Sequence, residues 1–354
     1  MKQKLLPAAI IAASAFSTTA IAANNISFYG KANVSLNQQN EQTKISGVSM
    51  DTQDNWEFNS NSSRLGVKGS YEISENLKAI YKLEYEVFID DGDDGKGNSS
   101  EFSQRNIYAG FQGNWGTFVG GKHDTPTKLA QGKVDRFNDM VYGDIKNIMV
   151  GENRESNILM YTTPKMGGFS ATLAAMPGED DGTANNDRDG LADATSLVVS
   201  WKNDNIYLAI ANDNEVKNTD LTRVVGEFKA DIFKIGALYQ TAEVSDKKQG
   251  PKISSIKGPI ADLTSNIKEQ DAYLLSGEVS VAKAIKLKAQ YGYSESTPVG
   301  AGAKDIETTQ IAFGADYKLN KQSKLYAYYA QIDSEQGKDE ANYDTFAVGY
   351  EIKF

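Results

Sequence analysis

The side chains best suited to catalysis or metal binding are scarce in this sequence. The chain of 354 residues contains one histidine, His123, and no cysteine. A zinc site or a Ser-His-Asp centre would have to be built around this single histidine, and no nucleophile motif of the G-x-S-x-G type occurs. We therefore expect a protein that is not an enzyme and that needs no cofactor.

One acidic segment has part of the spacing of a calcium-binding loop. In the stretch IDDGDDGKGNSSE (89–101), the residues Asp90, Asp94, Gly95 and Glu101 fall at positions one, five, six and twelve of an EF-hand loop. Position three is a glycine, however, and no helical pattern flanks the segment. An acidic external loop without a metal is the simpler interpretation, and a calcium site at the three carboxylates is the alternative.

A second set of charged residues suggests an electrostatic role rather than catalysis. Five basic residues share the alternation of nearby polar residues and are out of phase with nearby apolar ones: Lys31, Arg64, Lys82, Arg105 and Arg154. An Arg or Lys that faces lipid at the bilayer midplane costs about 2–4 kcal/mol. If the apolar positions face a membrane, these cations therefore lie on the opposite, interior side.

The acids that could oppose these cations lie between His123 and Glu152, a stretch of 30 residues without a strand pattern. It contains Asp135, Asp139 and Asp144. A stretch of this length without secondary structure is usually either functional or disordered. It is either an exposed external loop or a loop that folds inward and presents its carboxylates to the basic residues.

Alternating strands are the elements that must position these charges. The terminal stretch FAVGYEIKF (346–354) places every apolar side chain larger than alanine on one face and small or charged residues on the other. The stretch LKAIYKLEYEV (77–87) has the same pattern, with Lys82 on its polar face. Such alternation is typical of strands with one apolar and one polar side.

The lengths of the connections indicate which kind of sheet these strands form. Seven short turns alternate with eight long polar loops, and these fifteen connections join sixteen strands. We expect the turns near 71–76, 113–116, 164–168, 203–205, 230–231, 282–284 and 319–323, and the loops near 38–53, 89–100, 123–152, 177–193, 213–220, 243–269, 296–305 and 334–342.

This asymmetry is typical of outer-membrane barrels, which have short periplasmic turns and long external loops. We predict an all-β fold, a 16-stranded antiparallel transmembrane barrel with a water-filled interior. The last strand pairs with the first, because open sheet edges are not tolerated in hydrocarbon, and Phe354 lies at this closure.

The N-terminus has the pattern of an export signal. Lys2 and Lys4 precede the apolar run LLPAAIIAASAF, and Ala20-Ile21-Ala22 is an A-x-A cleavage site. We expect a signal peptide over residues 1–22, with cleavage near Ala22 and Ala23, followed by a single barrel domain over 23–354.

Several segments together resemble the Gram-negative general porins, which are trimeric barrels of sixteen strands. The similar segments are YGKANVSL, SRLGVKGSYEISENLKAIYKLEYEV, FSQRNIYAGFQGNWGTFVGG, KHDTPTK, RESNILMYTTPKMGGFS and the terminal Phe354. Their order and spacing, from about Ile26 to Phe354, make the resemblance specific.

The resemblance implies a passive channel for small hydrophilic solutes in the outer membrane. It implies that the third loop folds into the barrel and that its acids face a ladder of basic residues at positions Lys31, Arg64, Lys82, Arg105 and Arg154. The loop lacks the PEFGG motif of the enterobacterial members, so which of its three acids face the passage stays open. The resemblance also implies a homotrimer, contacts with lipid and lipopolysaccharide, and recognition of Phe354 by the barrel-assembly machinery.

Two alternatives remain open at this point. The chain could form a substrate-selective channel for sugars or anions, or a surface adhesin whose pore is incidental. A net charge of −10 argues against a nucleic-acid partner.

Overall fold

The computed structural model describes residues 24–91, 102–179, 189–245, 259–263, 266–299 and 302–354. The predicted signal peptide lies outside this range, and it stays a prediction. In the part of the chain that the structure describes, no helix is long and apolar enough to cross a membrane.

The described chain is almost entirely antiparallel strand. The strands are β1 (Asn24–Ile45), β2 (Val48–Ser60), β3 (Arg64–Ser74), β4 (Leu77–Val87), β5 (Phe102–Gly113), β6 (Gly116–Asp124), β7 (Arg154–Thr162), β8 (Phe169–Met176), β9 (Ala194–Lys202), β10 (Ile206–Val216), β11 (Thr219–Lys229), β12 (Phe233–Val244), β13 (Ile267–Ser280), β14 (Ile285–Pro298), β15 (Ile306–Lys318), β16 (Ser323–Gln336) and β17 (Asp339–Lys353). Two short helices are α1 (Pro126–Ala130) and α2 (Pro259–Leu263), and a 3₁₀ turn covers Ile145–Asn147.

Within the described ranges, seventeen strands occupy sixteen positions around one closed barrel, which confirms the predicted fold class. The first half of β1 pairs with β3 and its second half pairs with β2, so these two strands together fill one position. The strand conformation is interrupted between β2 and β3 at Ser62, whose φ of 51° is left-handed. Every other strand pairs with its neighbours in sequence, and β1 pairs with β17.

The seam between β1 and β17 is sealed at its end by backbone and side chain together. The N–H of Gly30 donates to the carbonyl of Phe354 at 2.8 Å, and the N–H of Phe354 donates back at 3.1 Å. The Phe354 ring lies directly over Gly30, where a Cβ atom would be 2.3 Å from the ring. A side chain at position 30 would displace the Phe354 ring, so glycine allows the contact that seals the seam.

Large apolar side chains cover the outside of the barrel. On β12, Phe233, Ile235 and Tyr239 are exposed, whereas the alternate residue Leu238 points inward and is buried. The same alternation runs through β10, β13 and β15. The outward faces match the apolar band that a transmembrane barrel presents to lipid.

The connections differ in part from those predicted. All seven short turns lie between the expected strands, but three predicted loops, 38–53, 213–220 and 334–342, are mostly paired strand. Here β1 with β2, β10 with β11, and β16 with β17 continue as ladders to tight hairpins. The alternation signal is lost in these extensions because both faces are polar, although the backbone ladder continues.

The close contact at Gly30 leads to a test of barrel closure. Gly30→Val should displace the Phe354 ring from the seam at a cost of about 1 kcal/mol, the low end for overpacking, because the ring is exposed. We expect less folded barrel after refolding into lipid vesicles, measured as the heat-modifiable band on a gel, and a lower unfolding free energy in urea. Ala32→Val, on the outward face of the same strand, is the control. Equal yields and stabilities for both variants would contradict a seam sealed by Phe354.

Candidate functional site

Residues 125–153, here called the inner loop, leave the wall after β6 and lie against the inside of the barrel. Pro126 is at the first helical position of α1, and the Thr125 hydroxyl accepts from the N–H of Lys128 to cap it. The Asp144 carboxylate caps the 3₁₀ turn in the same way, through the N–H of Lys146. Local capping therefore gives this stretch a defined shape even though it lacks a strand or helix pattern.

Apolar contacts hold the inner loop against one half of the wall. Its side chains Val134, Phe137, Ile145 and Ile148 are fully buried. They belong to a core that also contains inward-facing residues of the barrel, among them Val198, Val225, Leu238, Leu274 and Tyr328. The wall in this half therefore packs against protein rather than water.

Glycines in the wall make room for this contact. Gly236 on β12 and Gly292 on β14 both point inward. A Cβ atom at Gly236 would be 2.7 Å from Val134, and one at Gly292 would be 2.3 Å from Ile148. Side chains at these two positions would push the loop away from the wall and into the lumen.

Four inward glutamines satisfy backbone groups of the inner loop. Gln240 donates to the carbonyl of Val150 at 3.0 Å, and Gln270 accepts from its N–H at 3.0 Å. The other two are Gln290, which accepts from the N–H of Arg136 at 2.8 Å and donates to the carbonyl of Gly143 at 3.0 Å, and Gln310, which donates to the carbonyls of Tyr142 at 2.7 Å and Asp144 at 3.2 Å. We call Gln240, Gln270, Gln290 and Gln310 the glutamine ladder.

The glutamine ladder was missed in the sequence, although a signal exists. Its members lie on the successive strands β12, β13, β14 and β15, at positions out of phase with the lipid-facing residues. A glutamine can donate and accept at once, which suits a surface that must pair both N–H and C=O groups of a neighbouring backbone. One inward glutamine on each of four adjacent strands therefore indicates a buried backbone beside them.

Arg223 on β11 also anchors the inner loop, and it too was not predicted. It is completely buried, and its guanidinium donates to the Glu152 carboxylate at 2.7 Å, to Gln240 at 2.9 Å and to the carbonyl of Val150 at 3.1 Å. A buried guanidinium that water does not reach needs several partners, because an unpaired buried charge is strongly destabilising.

Among the predicted acids, Asp139 is the one that meets the predicted cations. Its carboxylate lies 2.8 Å from the Lys31 ammonium and 2.9 Å from the Arg64 guanidinium. Burial would raise the pKa of Asp139, but Lys31 and Arg64 outweigh that effect and lower it. The inner loop is thus ion-paired to β1 and β3, next to β16 and β17, which contribute to the core that it packs against.

The other two predicted acids support the shape of the inner loop itself. Asp135 accepts from the N–H groups of Phe137 at 3.1 Å and Ile145 at 3.3 Å. Asp144 accepts from the N–H groups of Asp139 and Lys146, both at 2.9 Å. Burial and the neighbouring Asp144 raise the pKa of Asp135 well above its ordinary value.

The remaining predicted cations lie on the wall formed by β4 to β7. Arg105 pairs with Glu86 at 2.7 Å and with Glu84 at 3.3 Å, and Lys82 pairs with Glu84 at 3.1 Å. Their side chains differ in contact with water, since Lys82 and Glu86 are about one-fifth exposed and Arg105 is nearly buried. Sequence alternation placed these acids on the same face as Lys82 but did not reveal the pairing.

Arg154 shares its counterion with Lys128 of the inner loop, which lies 3.3 Å from the same Asp124 carboxylate. Arg154 begins β7 and pairs with Asp124, at the end of β6, at 3.0 Å. The five predicted basic residues therefore lie on inward faces of β1, β3, β4, β5 and β7, and each has a carboxylate partner within 3.3 Å.

Lys68 is a further cation on this wall that sequence analysis did not select. It is opposite Lys82 in the ladder between β3 and β4, and its ammonium lies 5.4 Å from the centre of the Tyr29 ring. The Tyr29 hydroxyl donates to Glu84 at 2.9 Å. Lys68, Lys82 and Glu84 surround the Tyr29 ring and make this part of the interior polar. It differs in this from the half covered by the inner loop.

The structure leaves the calcium alternative untested. Asp94 and Glu101 lie outside the described residues, and Asp90 accepts from the N–H of Ser60 at 2.6 Å. Among the described residues no cluster of three or more His, Asp or Glu side chains is arranged to hold a metal ion. His123 lies beside Tyr108, with ring centres 5.1 Å apart.

Comparison with known proteins gives one family. A family model described as Gram-negative porin matches residues 8–337. Outer membrane porin protein 32 of Delftia acidovorans is 25% identical over 351 residues, which cover 93% of this chain and 89% of that protein. The major outer membrane protein P.IB of Neisseria sicca is 21% identical, covering 93% of this chain and 95% of the relative.

Solved structures agree with the fold. An anion-selective porin from Comamonas acidovorans superposes with a TM-score of 0.67 at 20% identity, covering 94% of this chain and all of that one. A trimer form of OmpT from Vibrio cholerae superposes with a TM-score of 0.62 at 19% identity, covering 94% of this chain and all of that one.

The buried pair of Arg223 and Glu152 leads to a test of how the inner loop is held. Arg223→Met leaves Glu152 unpaired and should cost about 3–5 kcal/mol of unfolding free energy. The double variant with Glu152→Gln should recover a large part of that loss, because no carboxylate is then left uncompensated. Urea titration of the four members of the cycle in lipid vesicles measures both values. Strictly additive losses would show that the pair does not anchor the loop.

Proposed function

The chain belongs to the Gram-negative porin family and forms a channel in the outer membrane, and from this premise we propose how its interior filters solutes. Small hydrophilic solutes diffuse passively between the inner loop and the wall formed by β3 to β7. The observation that carries this proposal is the contact of Asp139 with Lys31 and Arg64. It fixes the tip of the loop at one edge of the passage, so the gap cannot close by free motion of that tip.

The passage needs no catalytic group to select solutes. Charges of both signs lie on its wall, and low-dielectric protein on either side concentrates their field. Such a field orients dipolar solutes and resists apolar ones. A single unit pair about 8 Å apart in water contributes only about 0.5 kcal/mol, so selection is graded rather than absolute.

Among the basic residues of this wall and the carboxylates that pair with them, cations are in excess, which favours anions weakly. Six cations, Lys31, Arg64, Lys68, Lys82, Arg105 and Arg154, accompany four carboxylates, Glu84, Glu86, Asp124 and Asp139. The hairpins at the opposite end of the barrel from the short turns, such as that between β16 and β17, carry acidic residues. Their field opposes that of the wall cations, but it is screened beyond about 10 Å at 0.1 M salt. That one structural neighbour is described as anion-selective is consistent with this preference.

We also propose that the chain assembles as a homotrimer, as one structural neighbour does. Its apolar outer face would then be shared between lipid and subunit contacts, with lipopolysaccharide at the acidic hairpins. The exposed ring of Phe354 would be the group that the barrel-assembly machinery recognises. Mass measurement of the detergent complex tests the trimer, and a monomeric mass in mild detergent would contradict it.

The ion preference gives a direct test of the proposed passage. Arg64→Ala combined with Arg105→Ala should shift permeability toward cations by about two- to fivefold at low salt, because two wall cations are removed. Reversal potentials across planar bilayers under a salt gradient measure this shift. At 1 M salt the shift should nearly vanish, since the Debye length falls to about 3 Å.

Lys78→Ala is the matched control for this experiment. Lys78 also points inward on β4 but lies at the turn end, where it pairs with Glu72 at 3.0 Å. Its removal should leave the reversal potential close to that of the wild type. If the double arginine variant also keeps the wild-type value at low salt, these residues do not line the conducting path.

A further inference from the structure

A recess of about 300 Å³ lies at the turn end of the barrel, apart from the inner loop. The turn between β13 and β14, the turn between β15 and β16, and the end of β17 form its rim. Six lysines line it, Lys283, Lys286, Lys318, Lys321, Lys324 and Lys353, with only two carboxylates, Asp316 and Glu351. This excess of positive charge contrasts with a net charge of −10 for the whole chain.

The recess opens toward the lumen rather than toward lipid. On β14 and β16, Lys286 and Lys324 alternate with the lipid-facing residues Leu287 and Leu325. On β17, Lys353 has the same parity as the inward residue Ala347. A ligand in this recess would therefore be a solute at the inner mouth of the channel.

Part of the positive charge is already neutralised within the wall. Asp316 lies 3.0 Å from the Lys324 ammonium and 3.1 Å from that of Lys288, and Glu278 lies 2.8 Å from Lys286. Glu351 pairs with Lys353 at 3.0 Å. These ion pairs fix the position of the lysines on the strands.

Three lysines of the recess are left to bind a ligand. Lys283, Lys318 and Lys321 are exposed, and the described part of the chain places no carboxylate within ion-pair distance of them. The side chain of Asn320 is fixed between them, because its carbonyl accepts from the N–H groups of Gln322 at 2.7 Å and Ser323 at 2.9 Å. Its amide and that of Gln322 add neutral donors to the three cations.

We propose that this recess is a binding site for a small polyvalent oxyanion, a molecule with two or more linked phosphate groups, at the periplasmic mouth. Lysine binds phosphate as a point charge, so several ammonium groups around one recess favour a ligand that carries several charges. A monovalent anion would engage one lysine at a time and would be held weakly. The orientation of the mouth rests on the proposed porin function, whereas the binding itself does not.

Binding is tested by calorimetric titration of the detergent-solubilised barrel with tripolyphosphate at low ionic strength. The variant K283Q/K318Q/K321Q removes the three unpaired cations without leaving a carboxylate uncompensated. We expect its affinity for tripolyphosphate to fall by about tenfold or more, and the wild-type affinity to weaken steeply with added salt. Orthophosphate should bind the wild type more weakly than tripolyphosphate does.

The matched control is K165Q/K202Q/K229Q, which removes three lysines from other turns of the same rim. It lowers the net charge equally but leaves the recess intact, so its affinity should stay within about twofold of the wild type. An equal loss in both variants, or no binding by the wild type, would overturn the proposal. Competition by phosphatidylglycerol in nanodiscs would also overturn it, because the site would then bind lipid headgroups rather than a solute.

Single-channel recording separates this proposal from the channel itself. Tripolyphosphate added on the turn side should reduce the wild-type current more than the same concentration added on the loop side, and the recess variant should lose this difference. A channel that conducts without side-dependent block contradicts the site but not the porin function. A barrel that binds tripolyphosphate without conducting contradicts the porin function but not the site.

Discussion

The pairing of backbone hydrogen-bond groups is the constraint on which this structure depends. A lipid bilayer supplies no water to an open strand edge, and each unpaired N–H or C=O group there costs several kcal/mol. The sheet must therefore close on itself, and β1 meets β17 over a long ladder that ends where Phe354 pairs with Gly30. Closure fixes the number of strands, which way each side chain points, and thus which charges share the interior.

The same constraint acts a second time inside the barrel. A loop packed against the inner wall also loses water from its backbone, and it has no neighbouring strand to replace it. The glutamine ladder and Arg223 supply the missing partners, while inward glycines and apolar residues shape the contact. The interior thus has two parts, one that packs on the inner loop as a protein core does and one whose ion pairs run along β3 to β5.

Much of the barrel could be predicted from the sequence because its physics is local. A strand between lipid and water must alternate, and the seven tight turns end the alternation at regular intervals, so strand number and side-chain direction follow. The length of hairpins such as β16 with β17 was underestimated because these hairpins extend beyond the membrane. There both strand faces are polar, so no alternation marks the ladder. Alternation likewise placed the basic positions from Lys31 to Arg154 on inward faces, and the resemblance to the porins pointed to the same five residues.

The partners of those charges could not be predicted in this way. Asp139 meets Lys31 and Arg64 because the inner loop crosses to β1, and that path depends on contacts with strands more than a hundred residues away in sequence. Nothing in the sequence distinguishes Asp135 and Asp144 from Asp139, yet their carboxylates accept hydrogen bonds from N–H groups of the loop instead. Parity shows which side of the wall a residue is on, but only the folded loop shows what lies opposite it.

The fold places an apolar exterior in lipid, water along β4 and protein over β13, and thiol accessibility tests all three at once. The chain has no cysteine, so single substitutions L275C, L274C and E86C can be compared in lipid vesicles with a charged thiol reagent. We predict rapid modification of E86C with a fall in conductance, and protection of L275C by lipid and of L274C by the inner loop. Rapid modification of L275C, or an unreactive E86C, would contradict the account.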